Sequence, residues 1–267
     1  MSASAKLFVV TVLLLVAFGS GCQSSGDKGR APAANSNAKT SSAKPDDQGI
    51  IHSGVGEEKE KPAAGTANVQ GKVFYNAKPA ANIEVKLCEK FNQYFGGCSG
   101  QTFTAKTDAG GEYLIKNVPP GIYEGLTAKV FDTPYYVFAT SGFVASAKYK
   151  IEANETFFAP DSNLFKSDLK LLSPKAGAKV GANNIEVKWE SYTDAAYYKF
   201  SINADTSSGA ETNYDYIDKR VDGTSHVLDK PLAVGSYTCT VTAYNGNDIK
   251  LAESPSDIKF TVTGGGK

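Results

Sequence analysis

Apolar side chains fall into three regimes along the chain. They run together from Leu7 to Phe18, become sparse from Gln23 to Ala67, and alternate with polar residues from Asn68 onward. The first run is too short to cross a bilayer, which takes about 20 apolar residues. Lys6 is the only charge before it, and the small residues Gly19, Ser20 and Gly21 follow it. A basic start, a short apolar segment and small residues before a cut site predict a secretory signal over residues 1–21. The second regime is dominated by Ala, Ser, Gly, Lys, Asn, Asp and Pro. Such a segment buries too little apolar surface to offset its ordering entropy. Residues 22–67 are therefore expected to be a disordered tether that holds the folded part off a membrane. Ile50 and Ile51 are the only large apolar pair in it; they could form a short docking strand, but isolated apolar residues in a linker read as incidental.

The third regime reads as strands. Val69, Gly71, Val73 and Tyr75 share one phase, and Ile83, Val85 and Leu87 share the next beyond the "AKPAAN" turn. "TFTAKTDAGGEYLI" predicts a hairpin, with Gly110 and Gly111 supplying positive φ at its turn. Pro119 and Pro120 end a strand, and Gly121 starts another. Ser173-Pro174 opens a second unit. There Ile185, Val187 and Trp189 alternate on one strand, and Ala196, Tyr198, Phe200 and Ile202 on the next. Twenty-six glycines, 14 tyrosines and 14 phenylalanines against one methionine also favour strands and turns over helices. The expected fold class is all-β: two tandem β-sandwich domains, residues 68–172 and 173–267, after the signal and the tether.

Charge and cysteine content narrow the function. The chain has 28 basic and 28 acidic side chains, and the mature form loses Lys6, so no basic face invites nucleic acid. Of the four cysteines, Cys88 and Cys98 flank "EKFNQYFGG". In an oxidising compartment this spacing reads as a disulfide staple, worth roughly 2–3 kcal/mol in the chain-entropy model. A metal site is the alternative, disfavoured because no histidine or third cysteine is near. The loop aromatics Phe91, Tyr94 and Phe95 either form a stapled binding tip or pack back on the sandwich. Cys239 shares the inward phase of Tyr237 and Val241 and reads as core filler.

Three resemblances add to this reading. Gly19-Ser20-Gly21-Cys22 resembles a bacterial lipobox, in which the cysteine is lipidated; Gly19 stands where that family usually has Leu. Gln23 in the next position implies an outer-membrane destination in a diderm bacterium. The ordered pieces V-x-G-x-V, P-A-A-N-I-E-V-K-L, T-D-A-G-G-E-Y and V-P-P-G-I-Y, with "YKIEANETFFAPDSNLFKSDLKL" after them, resemble the carboxypeptidase regulatory-like family. That family implies a non-catalytic, prealbumin-like sandwich. L-x-x-G-x-Y-x-x-x-V-x-A-x-N from Leu232 to Asn245, with Trp189, resembles the fibronectin type III family. It implies a corner at which the Tyr237 hydroxyl bonds backward to the backbone.

Catalytic chemistry finds little support. His52 and His226 are the only histidines, and neither has a nucleophile motif nearby. There is no HExxH, P-loop or dinucleotide-binding glycine set. Asp205, Glu211, Asp215, Asp218 and Asp222 could form a glycosidase pair only if two of them faced each other across a cleft. No catalytic residue, metal site or cofactor is expected. The reading is a lipid-anchored cell-envelope binding or structural module that meets the membrane through Cys22. The alternative is a carbohydrate- or peptide-binding accessory protein, touching a surface polysaccharide or protein through Phe91, Tyr94, Phe95, Tyr214 and Tyr216. Tyr135 and Tyr136 are further rings that could meet a sugar face. An enzyme with an unrecognised carboxylate site ranks last.

Overall fold

The computed structural model describes residues 46–92, 97–138, 147–255 and 258–264. Cys22, Tyr94 and Phe95 lie outside them, as do the signal and the first half of the expected tether. The described residues are all-β, with two single 3-10 turns, Thr206–Ser208 and Tyr214–Tyr216, and no α-helix among them. None of their elements is a helix long and apolar enough to cross a membrane.

Two apolar clusters organise the chain. The first gathers residues from Ile51 to Leu164, the second from Leu169 to Val262. Around the first, Ala67–Tyr75 is the hub of a five-stranded sheet. It pairs antiparallel with Glu112–Val118 and Lys78–Pro79, and parallel with Thr156–Phe158 and Ser162–Leu164. The opposing four-stranded sheet runs Gly97–Lys106, Glu84–Asn92, Gly125–Lys129, Tyr136–Phe138. A three-stranded sheet, Ile50–Ile51, Lys148–Ile151 and Gly121–Tyr123, completes this half.

The expected hairpin at Asp108–Gly111 is not one. Gly97–Lys106 pairs with Glu84–Asn92, whereas Glu112–Val118 pairs with Ala67–Tyr75, so the turn carries the chain from one sheet to the other. Asp108 fixes this crossing, its Oδ1 accepting from the amides of Gly110 and Glu112 at 2.9 and 3.0 Å. Only Gly111 takes positive φ, +73°, and a Cβ there would lie 2.6 Å from the Val73 carbonyl. Period-2 alternation places a residue on a face but does not choose the partner strand, so turn chemistry alone suggested a hairpin.

Residues 46–66 also depart from the sequence expectation. They do not lead away from the sandwich as a tether. Ile50–Ile51 pairs parallel with Lys148–Ile151, and Ile51 is fully buried. Gly54 donates to the Phe158 carbonyl at 2.9 Å, and Phe158 donates back to Ser53 Oγ at 3.0 Å. The Lys59 amide donates to Gln70 Oε1 at 3.0 Å, and Gln70 Nε2 and Asn68 Nδ2 return bonds to the carbonyls of Glu57 and Glu60 at 2.9 and 2.8 Å. The Lys59 ammonium meets Asp108 at 2.6 Å and Glu112 at 2.7 Å, and Lys116 pairs with Glu60. These partners raise the Lys59 pKa and lower those of both carboxyls. One buried isoleucine and a row of backbone bonds outweigh the polar composition, and the surface ion pairs add little.

Around the second cluster, a six-stranded sheet is built on Gly235–Tyr244, whose residues alternate strictly between buried and half-buried. Its neighbours are Tyr197–Asp205, Lys259–Thr263 and Lys250–Glu253. A three-stranded sheet, Leu171–Ser173, Glu186–Trp189 and Ser225–Val227, faces it. Trp189 is buried between, its ring centroid 5.4 Å from Tyr198 and 6.3 Å from Phe200. Ala196, in phase with this strand by sequence, is exposed one residue before it begins. Tyr197 packs the outer face instead, stacked on Tyr244 at 5.1 Å.

The segment joining the clusters is hydrogen-bonded along its length. Lys166 donates its amide to Leu251 at 3.0 Å and accepts from Glu253 at 2.8 Å, and Leu169 donates to Glu253 at 3.2 Å. Side chains reinforce it. Asn76 Nδ2 donates to Asp194 at 2.8 Å, and Asn245 Nδ2 donates to Asn76 Oδ1 at 2.7 Å. The Lys166 ammonium lies 5.4 Å from the Tyr75 ring centre and 5.2 Å from that of Phe131, and Lys250 lies 3.6 Å from that of Phe165.

Candidate functional site

The staple forms. Cys88 and Cys98 are disulfide-bonded, with Cα atoms 5.5 Å apart. Cys88 is fully buried and Cys98 half-buried, so the bond ties the loop base into the sheet. Phe91 does not stand out as a tip. It is half-buried, and a Cβ on Gly125 would lie 3.1 Å from its ring, which places the ring over that glycine. Its amide donates to Glu124 Oε2 at 3.3 Å. Cys239 is buried in the second core, and loss of water pushes its thiol pKa up to about 12. The thiolate is thereby disfavoured, as a core filler requires.

The two tyrosines singled out at 214 and 216 part company. Both belong to the 3-10 turn Tyr214–Tyr216, which Asn213 caps by accepting from the Asp215 amide at 3.1 Å. Tyr216 is fully buried, its ring stacked 6.3 Å from Phe200. Its hydroxyl donates to Asp229 Oδ1 at 2.7 Å and accepts from the Lys230 amide at 2.7 Å. Burial and then the Asp229 carboxylate raise its phenol pKa, and the same bond lowers that of Asp229. The expectation that Tyr216 contacts a ligand is therefore corrected: its ring is core and its hydroxyl is an anchor. Adjacent aromatics two positions apart looked alike in sequence because a tight turn breaks the period-2 rule that would sort them.

Tyr214 is 82% exposed. It stands at the edge of a recess of about 380 Å³ lined by Glu211, Thr212, Asn213, Asp215, Pro231 and Ala233. Asp215 pairs with Lys230 across its rim, which raises the lysine pKa. The remaining carboxylates of the acidic run serve local structure. Asp205 accepts from the Ser207 amide and hydroxyl at 3.1 and 2.6 Å, Asp218 from Ser201 Oγ at 3.2 Å, and Asp222 from Arg220 at 3.3 Å. None of these bonds sets one carboxylate against another. No group of three or more His, Cys, Asp or Glu side chains suited to a metal occurs among the described residues. His52 meets Asp46 at 2.9 Å in the N-terminal strap, and the His226 ring lies 5.3 Å from Phe200. Tyr135 and Tyr136 are 61% and 37% exposed, and the Tyr136 hydroxyl is held between Lys86 at 2.9 Å and Glu84 at 3.0 Å.

Behind the recess stands the corner anticipated for Tyr237. Its hydroxyl donates to the Ala233 carbonyl, four residues upstream, at 2.9 Å and accepts from the Glu211 amide at 3.4 Å. An unanticipated copy of the device occurs in the first half, where the Tyr123 hydroxyl donates to the Pro119 carbonyl at 2.8 Å. The shared spacing x-x-Gly-x-Tyr, Pro119–Tyr123 and Ala233–Tyr237, was the signal that could have revealed it.

No family model matches the chain, and no curated protein matches it. Solved structures with partial likeness include fibronectin(III)-like modules of CbhA from Clostridium thermocellum, at 16% identity and a TM-score of 0.26, covering 73% of this chain and 90% of that one. The major pilin SpaD from Corynebacterium diphtheriae gives 10% identity, a TM-score of 0.26 and coverage of 73% and 64%. A leucine-rich repeat protein from Bacteroides thetaiotaomicron gives 13% identity and a TM-score of 0.28 over 75% of this chain. This chain spans a quarter of the length of that last protein and just under two thirds of SpaD. Likenesses at this level do not carry the fold, which rests on the ladders and cores described above.

Proposed function

We propose that this chain is a non-catalytic module of the cell envelope, anchored through lipid on Cys22 and displaying two β-sandwiches in fixed relation as a structural or binding surface. The first half is read as a carboxypeptidase regulatory-like sandwich and the second as a fibronectin type III-like one. An outer-membrane location follows from the lipobox-like leader and Gln23, and the partner is the membrane rather than nucleic acid.

The observation that carries the display reading is the junction. A flexible pair of modules would be joined by a solvated linker. Here Lys166 and Leu169 bond to the edge at Leu251–Glu253, and Asn76 bridges Asp194 and Asn245. A polar junction so fully bonded holds its geometry, because each unmade bond would strand a half-buried group.

The test is a distance distribution between nitroxide labels on Lys106→Cys and Asp222→Cys in the full mature chain. Both positions are exposed, one in each half. A single narrow peak is expected, broadened by Asn76→Ala. A broad distribution in the unaltered chain would show modules on a hinge and would overturn the reading.

A further inference from the structure

The largest opening near the junction, about 540 Å³, is lined by Tyr75, Asp168, Tyr192 and Asp194. Its carboxylates are already partnered, Glu190 by Lys170 among them. Tyr192 donates to Asp168 at 2.9 Å, and Asp194 accepts from Asn76. The smaller recess at Tyr214 is different. Among the described residues, the Tyr214 phenol, the Glu211 carboxylate and the Thr212 hydroxyl make no intramolecular hydrogen bond, yet all three line one concavity.

We infer that this recess is a binding subsite for a neutral saccharide, with Tyr214 as the platform for one face of a pyranose ring. The ring is exposed, and the turn that carries it is held. Asn213 caps its turn, and two residues on, Tyr216 is bonded to both Asp229 and Lys230. The backbone beneath the ring therefore needs little ordering on binding. A pyranose offers a C–H face to the ring and hydroxyls at its edge, and Glu211, Thr212 and the Asn213 amide stand where such hydroxyls need partners.

Charge selects the class. Of the two lining carboxylates, Asp215 is offset by Lys230, which leaves Glu211 to disfavour an acidic glycan. A peptide fits less well. None of the lining residues belongs to a strand, so there is no ladder for a peptide backbone to extend. The subsite adds a ligand to the display reading and does not depend on the junction being rigid.

The test is native affinity electrophoresis of the full mature chain through gels containing xylan, mixed-linkage β-glucan, galactomannan or, as the acidic control, polygalacturonate. Retardation in at least one neutral gel and none in polygalacturonate is expected. Tyr214→Ala should weaken it tenfold or more, Tyr214→Trp should keep it, and Glu211→Gln should weaken it severalfold. Trp189 fluorescence checks that Tyr214→Ala and Glu211→Gln are folded, and far-UV circular dichroism checks Tyr214→Trp, which carries a second tryptophan. The inference is overturned by no retardation in any neutral gel, by equal retardation of Tyr214→Ala, or by retardation confined to polygalacturonate. Capture of polylysine without any neutral glycan would overturn it too, because the recess would then be an acidic peptide site. The label-distance result stands whichever way this one falls.

Discussion

Both sandwiches turn the same corner with the same five-residue device, and they support it in opposite ways. In each, a tyrosine hydroxyl reaches back four residues to a carbonyl, at 2.8 Å for Tyr123 and 2.9 Å for Tyr237. Tyr237 then enters the ten-residue Gly235–Tyr244 strand inside the six-stranded sheet. Tyr123 closes a three-residue strand, Gly121–Tyr123, whose one ladder partner among the described residues is Lys148–Ile151, and that strand is flanked in turn by Ile50–Ile51. The second corner is held by its own sheet. The first is held by borrowed pieces: the N-terminal strap and, nearby, a disulfide. A local motif sets the turn, and what stabilises it is decided elsewhere in the chain.

The sharpest way to break the comparison is to remove the borrowed piece. Ile51 is fully buried, so Ile51→Ala deletes packed side-chain volume and leaves a cavity, a loss of about 3 kcal/mol. The loss should fall on the first half only. In guanidinium titration, the far-UV circular dichroism transition should move to lower denaturant. The fluorescence of Trp189, the only tryptophan, reports the second half and should hold its midpoint. If neither signal moved, the strap would be a passenger and the first corner would be as self-sufficient as the second.

The next test uses the glycine in each device. Gly235 has φ +153°, and a Cβ there would sit 2.5 Å from the Ala210 amide nitrogen and 2.7 Å from its Cα. Backbone cannot step aside as a side-chain tip can, so Gly235→Ala should cost about 2–3 kcal/mol, read by Trp189 fluorescence. A Cβ at Gly121 would meet nothing nearer than the Tyr123 ring at 3.8 Å, ordinary contact. Gly121→Ala should stay within about 0.5 kcal/mol of the parent. Equal costs at both positions would mean that the shared spacing, and not the packing around it, governs the corner.

The contrast also explains what could be read without coordinates. The strands that alternate over many residues were legible, because Ile185, Val187 and Trp189, or Tyr237, Cys239 and Val241, must share a face. The Cys88–Cys98 bond was legible from its spacing together with the expected oxidising compartment, and the Tyr237 corner from its pattern. The strap was not. Two isoleucines in a polar stretch left a docking strand open but carried no periodicity to place it, because the partner strand, Lys148–Ile151, lies about a hundred positions later. Pairing across the Asp108 turn was hidden for the same reason, since a ladder partner is a non-local fact. In the candidate site, sequence picked out Tyr214 and Tyr216 together. Only the bonds of Tyr216 to Asp229 and Lys230 separate the anchor from the exposed ring.

The finest distinction between the corners lies in one oxygen atom each. Tyr237→Phe removes a hydroxyl that donates to Ala233 and accepts from Glu211, in a residue 1% exposed. Tyr123→Phe removes one that donates to Pro119 alone, in a residue 4% exposed. Losing a buried hydrogen bond costs about 1 kcal/mol, and more where a second partner is stranded. The expected losses are therefore about 1.5 kcal/mol for Tyr237→Phe and about 1 kcal/mol or less for Tyr123→Phe. Trp189 fluorescence reads the first and circular dichroism the second. Combining each with Ile51→Ala makes the test decisive. Tyr123 and Ile51 brace the same small sheet through Lys148–Ile151, so their losses should not add, whereas those of Tyr237 and Ile51 should. Simple additivity in both pairs would mean that the strap and the first corner are independent supports, and the contrast between a self-held and a borrowed corner would fail.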